Sequence, residues 1–386
     1  MSKSALSQLD VKTTLREKIE PLVPLMLERA DESDRLGHLT PDVLTGLFEV
    51  GAFRAYIPEK FGGDHVSRLD AYEMLLEIAR GSASAAWITL VAGANLDMGL
   101  SFPDEALEDL IDVNWPGPMF AGAVFNPKHV TGTGRRVPGG VMLKGSWAFC
   151  SGLHHAKFVI GGFRHEDDGA LYCAFVPREL GEIVDDWQVI GLRASSSNSF
   201  RITDEVFVPG HRVASLAAIM ENVPRLEERH GKRQTQPSNA IAVGTGYFGL
   251  DAFVAQAKKR KATGMPEDTM ADAPIIQSAV GEAWAKISAA EAVGRIESET
   301  PGGPTDKALM LASLRSQYAA RQCADAIDRL HHLMGSSAIL DRNPLQRAAR
   351  DLRALSLHPL FRSDLALYNM GRILCGHEPT NLFDPK

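Results

Sequence analysis

The 386-residue chain is poor in the features that mark several functional classes. Its four cysteines, Cys150, Cys173, Cys323 and Cys375, are scattered and form no CxxC pair, which excludes a disulfide framework or a thiolate metal site and predicts a reduced, cytoplasmic setting. No stretch approaches the eighteen or so apolar residues of a membrane span. The first residues, MSKSALSQLDVKTTLREKIEPL, read as an amphipathic helix and not as a signal peptide. Basic residues are in deficit, 41 against 48 acidic for a formal charge of -7, so nucleic acid is not an expected partner. The single dense basic run, Lys258 to Lys261, follows an apolar helical stretch and reads as a solvated helix end. Repeats and low-complexity segments are absent.

What is present is an ordinary globular chain, 45% hydrophobic and 23% charged, whose texture changes twice. Residues 1–117 show apolar positions at helical spacing, broken at Thr40-Pro41, Ile57-Pro58, Phe61-Gly62-Gly63 and Phe102-Pro103. Residues 118–226 carry short alternating runs cut by glycine and proline, which predict a small β-barrel or sandwich. Residues 227–386 return to long helical patterns. Strands confined to one central block exclude a doubly wound sheet. The literal GxGxxG of Gly244 to Gly249 therefore lacks its βαβ context, and its glycines are expected to let helices pack closely.

The most informative stretch is GSWAFCSGLHHA, Gly145 to Ala156. Read as a strand, it puts Trp147, Phe149 and Ser151 on one face, with Gly152 at the turn and His154 and His155 just beyond. Two readings stand side by side: an ordinary strand with a buried aromatic pair, or a wall that grips a flat conjugated cofactor by its edge. A second segment, GLRASSSNSFRITDEVFVP from Gly191 to Pro209, adds a Gly-Leu-Arg turn, three serines and Asn198 before an alternating strand.

Together these segments resemble the middle domain of the acyl-CoA dehydrogenase superfamily. The WxFxSG form with a following histidine resembles its oxygenase branch, the two-component (group D) flavin-dependent monooxygenases. Further matches are Ser84, Ala86 and Trp87 of a Ser-x-Ala-Trp helix start, and the run HHLMGSSAILDRNPLQRAARDLRALSLHP, with its Gly335-Ser336-Ser337 turn, Pro344 to Arg347, and Arg350-Asp351. The resemblance spans about Leu15 to Gly376. It implies an α+β, acyl-CoA dehydrogenase-like fold: an N-terminal helical domain, a central β-barrel domain and a C-terminal four-helix bundle. It implies reduced FMN or FAD delivered by a separate flavin reductase, and a flavin hydroperoxide that hydroxylates a small aromatic, polyketide or amine substrate. Ser151 would hold that intermediate, and Trp147 and Phe149 would back the flavin. Arg193, Ser195 and Ser197 would take its polar edge and phosphate. Gly335 and Ser336 would meet the flavin of a neighbouring subunit in a homotetramer or homodimer.

His358 precedes Pro359, so the helix from about Leu345 should stop there, and the helix dipole should favour its protonated form. In the oxygenase relatives a histidine in this part of the bundle faces the flavin, which makes His358 a candidate for proton movement. Asn95 occupies the position where many hydroxylase relatives carry a histidine. Asparagine can orient a substrate but cannot take its proton, so His358, Asp97 or the 154/155 pair is left as base, or the substrate needs none. The dehydrogenases' Tyr-Glu-Gly-Thr base is missing: SLHPLFRSDLALYNMGRILCG contains no glutamate. A non-catalytic flavin-binding oligomer is the remaining alternative.

Overall fold

The computed structural model describes residues 14–122, 130–222, 237–261, 268–299, 306–361 and 364–380. The expected N-terminal helix falls largely on residues 1–13, outside the described residues. Residues 123–129 and 223–236 also lie outside the described residues.

The first region is helical: α1 (Leu15–Ile19), α2 (Val23–Glu28), α3 (Ala30–Leu36), α4 (Pro41–Glu49), α5 (Arg68–Gly81), α6 (Ala83–Gly99) and α7 (Asp104–Leu110). Its boundaries follow local chemistry. Pro41 opens α4, where its missing N–H costs nothing. Ser67 caps α5 by accepting from the Asp70 N–H, and Ser82 caps α6 by accepting from that of Ala85. α6 is buried on almost every side, a core helix and not a surface one.

Strands follow: β1 (Phe120–Gly122), β2 (Gly132–Val137), β3 (Gly140–Trp147), β4 (Phe158–His165), β5 (Leu171–Pro177), β6 (Glu182–Val184), β7 (Ser199–Pro209) and β8 (Val213–Ser215). They form one eight-stranded sheet in the order β6-β7-β3-β2-β4-β5-β8, with β1 added beside β4. The pairs are antiparallel except β1–β4 and β2–β4. Among the described residues β6 and β8 do not pair, so the expected barrel is an open sheet around its own core of Leu143, Trp147, Val159, Phe163, Val176 and Phe200.

Helices α8 (Leu216–Asn222), α9 (Asn239–Ala257), α10 (Pro274–Glu299), α11 (Asp306–Met334), α12 (Pro344–Leu357) and α13 (Asp364–Leu374) complete the chain. α9 to α12 pack on one another as the bundle, and α5 packs along α9. The GxGxxG glycines lie in mid-helix in α9. A Cβ on Gly244 would fall 2.2 Å from the Leu76 carbonyl of α5, so glycine here permits helix contact. This packing makes the first helices and the bundle share one core, while the sheet keeps a second. Two sheet loops, 148–153 and 191–198, are left at the junction of α6 and the C-terminal end of α12.

Candidate active site

β3 stops at Trp147, and the common face expected for Trp147, Phe149 and Ser151 does not form. Trp147 is 6% exposed. Its Nε1 donates to the Gly162 carbonyl at 2.7 Å and its ring stacks near Phe200. Glycines make room for it: a Cβ on Gly132 would lie 2.8 Å from the indole. Trp147 therefore belongs to the sheet core, and the expectation that it backs a cofactor is corrected: no face of the ring is free. Phe149 does the opposite. Its backbone takes a left-handed φ of 62° and its ring stands 66% exposed, edge-on to Trp187. Phe149 thus combines a costly backbone conformation with a ring that no core contact buries.

Beyond Phe149 the two loops zip together. The Cys150 N–H donates to Asn198 O at 3.1 Å, that of Gly152 to Ser195 O at 2.9 Å, and that of Leu153 to Ser196 O at 3.1 Å. This register brings the buried hydroxyls of Ser151, Ser195 and Ser197 into a line. Ser151 Oγ lies 2.8 Å from Ser197 Oγ, which lies 2.8 Å from Ser195 Oγ. Trp87 Nε1 donates to Ser151 Oγ at 3.0 Å, and because an indole can only donate, Ser151 is the acceptor in that bond. The Ser151 proton is thus free to pass to Ser197 or to a ligand. Trp87 entered the sequence reading only as part of a helix-start motif; its reach to Ser151, far away in the chain, is a tertiary fact.

The bundle sets the second loop. Asp351 Oδ1 accepts from the Leu192 N–H at 2.8 Å, holding the left-handed Leu192 that starts the Arg193–Ser195 turn. Burial pushes the Asp351 carboxyl up to about 6, against the attraction of Arg350. A Cβ on Gly191 would fall 2.2 Å from the Arg350 carbonyl, so α12 touches bare backbone there. Arg193 is half-buried and donates from Nε to the Val189 carbonyl at 3.0 Å.

His358 caps α12 in extended geometry, as its proline neighbour dictates. Its ring sits edge-on to Trp87, centroids 4.7 Å apart. The expectation that the helix dipole favours the charged form is overturned, since burial depresses the imidazole to about 4. The Leu360 N–H points at Nδ1 from 3.2 Å, which leaves the proton of the neutral ring on Nε2. At neutral pH His358 is a hydrogen-bond donor. Beside it, a cavity of about 530 Å³ opens into the bundle, lined by Ala242, Leu352, Leu355, Leu357 and Phe361 with Arg321, Arg353, Asp325 and Asp328. Phe361 also packs against Trp87.

Asn95, on α6, donates from Nδ2 to Phe120 O at 3.3 Å and lies against Gly122, whose backbone bridges to Ser151. His154 and His155 are held neutral, at about 4 and about 3, chiefly by burial. Gly335 and Ser336 stand apart from this group, on an exposed turn before the N-terminal end of α12, whereas His358 is at its C-terminal end. That turn is tied to the basic run, since Arg260 donates to Met334 O and Ser337 Oγ. Among the described residues no group of three or more His, Cys, Asp or Glu is placed to hold a metal.

The N-terminal domain model of acyl-CoA dehydrogenase matches residues 8–107 and the C-terminal domain model matches residues 238–363. The oxygenase subunit HsaA, a flavin-dependent monooxygenase of Rhodococcus jostii, is 30% identical over 89% of this chain and 93% of its own. The chain belongs to the acyl-CoA dehydrogenase superfamily, within its flavin-dependent monooxygenase branch. An indole-3-acetate monooxygenase of Acinetobacter baumannii is 27% identical over 91% of each chain. The solved structure of 3-HSA hydroxylase from Rhodococcus sp. RHA1 superposes with a TM-score of 0.80, at 26% identity, over 96% of this chain and 98% of that one. For this superfamily member, the fit of a flavin can be asked of the residues themselves. An exposed ring at Phe149 and a hydroxyl at Ser151 that accepts from Trp87 and keeps its own proton to give suit the face and edge of an isoalloxazine.

Proposed function

We propose that this protein is the oxygenase component of a two-component system that hydroxylates a small aromatic substrate with reduced FMN or FAD from a separate reductase. The observation that carries this reading is the hydrogen-bonded Trp87–Ser151–Ser197–Ser195 line beside Phe149, exposed and at a left-handed φ. Bound reduced flavin supplies the chemistry with oxygen. The chain's own residues supply the rest. Phe149 gives the flavin ring an apolar face. Ser151, with its proton unclaimed by Trp87, donates to the ring's edge. Ser195, Ser197 and Arg193 face the remaining polar groups.

Neutral His358 presents Nε2–H as a donor, and with Asn95 it orients the substrate without taking its proton at neutral pH. This favours substrates that are already nucleophilic, such as phenols and indoles. The cavity beside Phe361 would provide the compartment, with Ala242, Leu352, Leu355 and Leu357 to pack a substrate ring and its arginines and aspartates to receive a polar substituent. Apolar side chains on the outside of the bundle, such as Trp284 at 58% exposure, support assembly with further copies, in which Gly335 and Ser336 would meet a neighbour's flavin. No helix among the described residues is long and apolar enough to cross a membrane. The four free cysteines fit a reducing cytoplasm.

The test supplies the full chain with a flavin reductase, NADH, ¹⁸O₂ and a panel of phenols and indoles, and reads product mass and hydrogen peroxide. Incorporation of one ¹⁸O into a product is the expected result. Ser151→Ala should raise the peroxide released per product formed. Reduction of the bound flavin by an acyl-CoA, with no oxygenated product from the panel, would overturn the proposal.

A further inference from the structure

The mechanism above leaves three histidines unused, and they meet across the boundary between the helical region and the sheet. His38 comes from the turn between α3 and α4; His154 and His155 follow Ser151. His38 stacks on His154 with centroids 4.7 Å apart and meets His155 edge-on at 5.4 Å. His38 Nδ1 lies 3.0 Å from Leu39 O and must donate to it, because a carbonyl only accepts.

The contact between this group and the site is Ser196, the residue between Ser195 and Ser197. Its Oγ accepts from the His154 N–H at 2.9 Å and lies 2.6 Å from His154 Nδ1. Its own N–H donates to Gly37 O at 3.0 Å. Ser196 has a φ of 49°, a left-handed conformation uncommon for serine, which these bonds help to hold. Two charged groups face His154, Arg178 opposing its protonation and Asp185 favouring it; Arg178 also opposes that of His155. Trp115 Nε1 holds the His155 carbonyl at 2.9 Å, and His155 Nε2 is buried without a hydrogen-bond partner.

We propose that His154, backed by His38, is a positioning residue that acts through Ser196 to align the Ser151–Ser197–Ser195 hydroxyls, and that this clamp holds only while the His154 ring is uncharged. The proposal deepens the site reading above and rests on it for its catalytic meaning. A proton on His154 places a positive charge against the His38 ring, and it leaves both His154 ring nitrogens able only to donate, Nδ1 beside the Ser196 hydroxyl included. Both events loosen the backbone turn that carries Ser195 and Ser197. Ser151 follows, because its own loop is zipped to that turn.

The Trp87 indole N–H reports the outcome, since its acceptor is Ser151 Oγ. The experiment uses the full-length protein without flavin, in a His358→Gln background so that the neighbouring imidazole does not contribute. Indole ¹⁵N spectra of the five tryptophans are recorded from pH 7 to 3.5, through the protonation of His154, with Trp87 assigned by its loss in Trp87→Phe. The Trp87 resonance should shift on acidification and stay put in His154→Phe. In Ser196→Gly, which suits the left-handed backbone and lacks the hydroxyl, it should already be displaced at pH 7. The Trp147 indole, bonded inside the sheet core, is the control and should not move. If His154→Phe does not fold, His38→Phe and Ser196→Gly carry the same comparison. A Trp87 resonance that coincides with wild type at every pH in these variants overturns the proposal. Because no flavin or substrate is present, that failure would leave the oxygenase reading standing, and failure of the oxygen-labelling test would leave the clamp standing.

Discussion

Asp351→Asn isolates the cost of the buried carboxylate that organises the second site loop. The wild-type carboxyl is buried and displaced from an ordinary 3.8 to about 6. A displacement of about two pH units corresponds to about 3 kcal/mol, at 1.36 kcal/mol per unit. The sign follows from which state binds the proton. Between pH 4 and 6 the folded protein holds a proton that the unfolded chain has released, so this group's contribution is fully present below 3.8 and is lost as pH rises through 6. Asparagine keeps an Oδ1 acceptor for the Leu192 N–H, now 2.8 Å from the carboxylate, and removes the charge. Arg350 retains Asp34 and Arg347 retains Asp31 as partners. The Asn variant should therefore match wild type near pH 4 and exceed it by about 3 kcal/mol at pH 8, measured by urea unfolding with tryptophan fluorescence. A variant less stable than wild type at pH 8 would refute the reasoning, because it would mean that the two arginines more than repay the carboxylate's desolvation.

Two further outcomes test the packing around the site. Gly191→Ala should cost about 3 kcal/mol or more, because its Cβ would fall 2.2 Å from the Arg350 carbonyl and neither backbone can retreat; an unchanged melting temperature would contradict that contact. Trp147→Phe should cost about 2–4 kcal/mol through the lost bond to Gly162 O and the vacated ring volume, and leave flavin affinity unchanged. Weakened flavin binding at unchanged stability would return Trp147 to the cofactor face.

Much of the local chemistry was legible residue by residue. Thr40-Pro41 and Phe102-Pro103 mark helix starts, Asn343 caps the helix that Pro344 opens, and Pro359 ends it at His358, because these effects act within one turn of backbone. The GxGxxG glycines were readable as packing glycines once no strand alternation surrounded them. Errors arose where a local pattern met a non-local partner. Alternation carried the strand past Trp147 to Ser151, yet the chain turns at Phe149, where the second loop captures the backbone of Cys150 and Gly152. The helix dipole favoured a charged His358, but desolvation against Trp87 and its surroundings outweighs it. Arg193, Ser195 and Ser197 were readable as a polar cluster, but not their order of hydrogen bonding.

The sequence alone determined the arrangement of helices, strands and helices, the chemical inventory of the site and its family. Each depends on periodicity, turn residues and motif spacing, all carried by neighbours in the chain. Only the tertiary structure decided which ring faces the open, which donor meets Ser151, and that burial favours the neutral form of His358. Those depend on Trp87, Asp351 and the three histidines meeting loops remote in sequence, where burial and hydrogen-bond direction are set by what packs opposite.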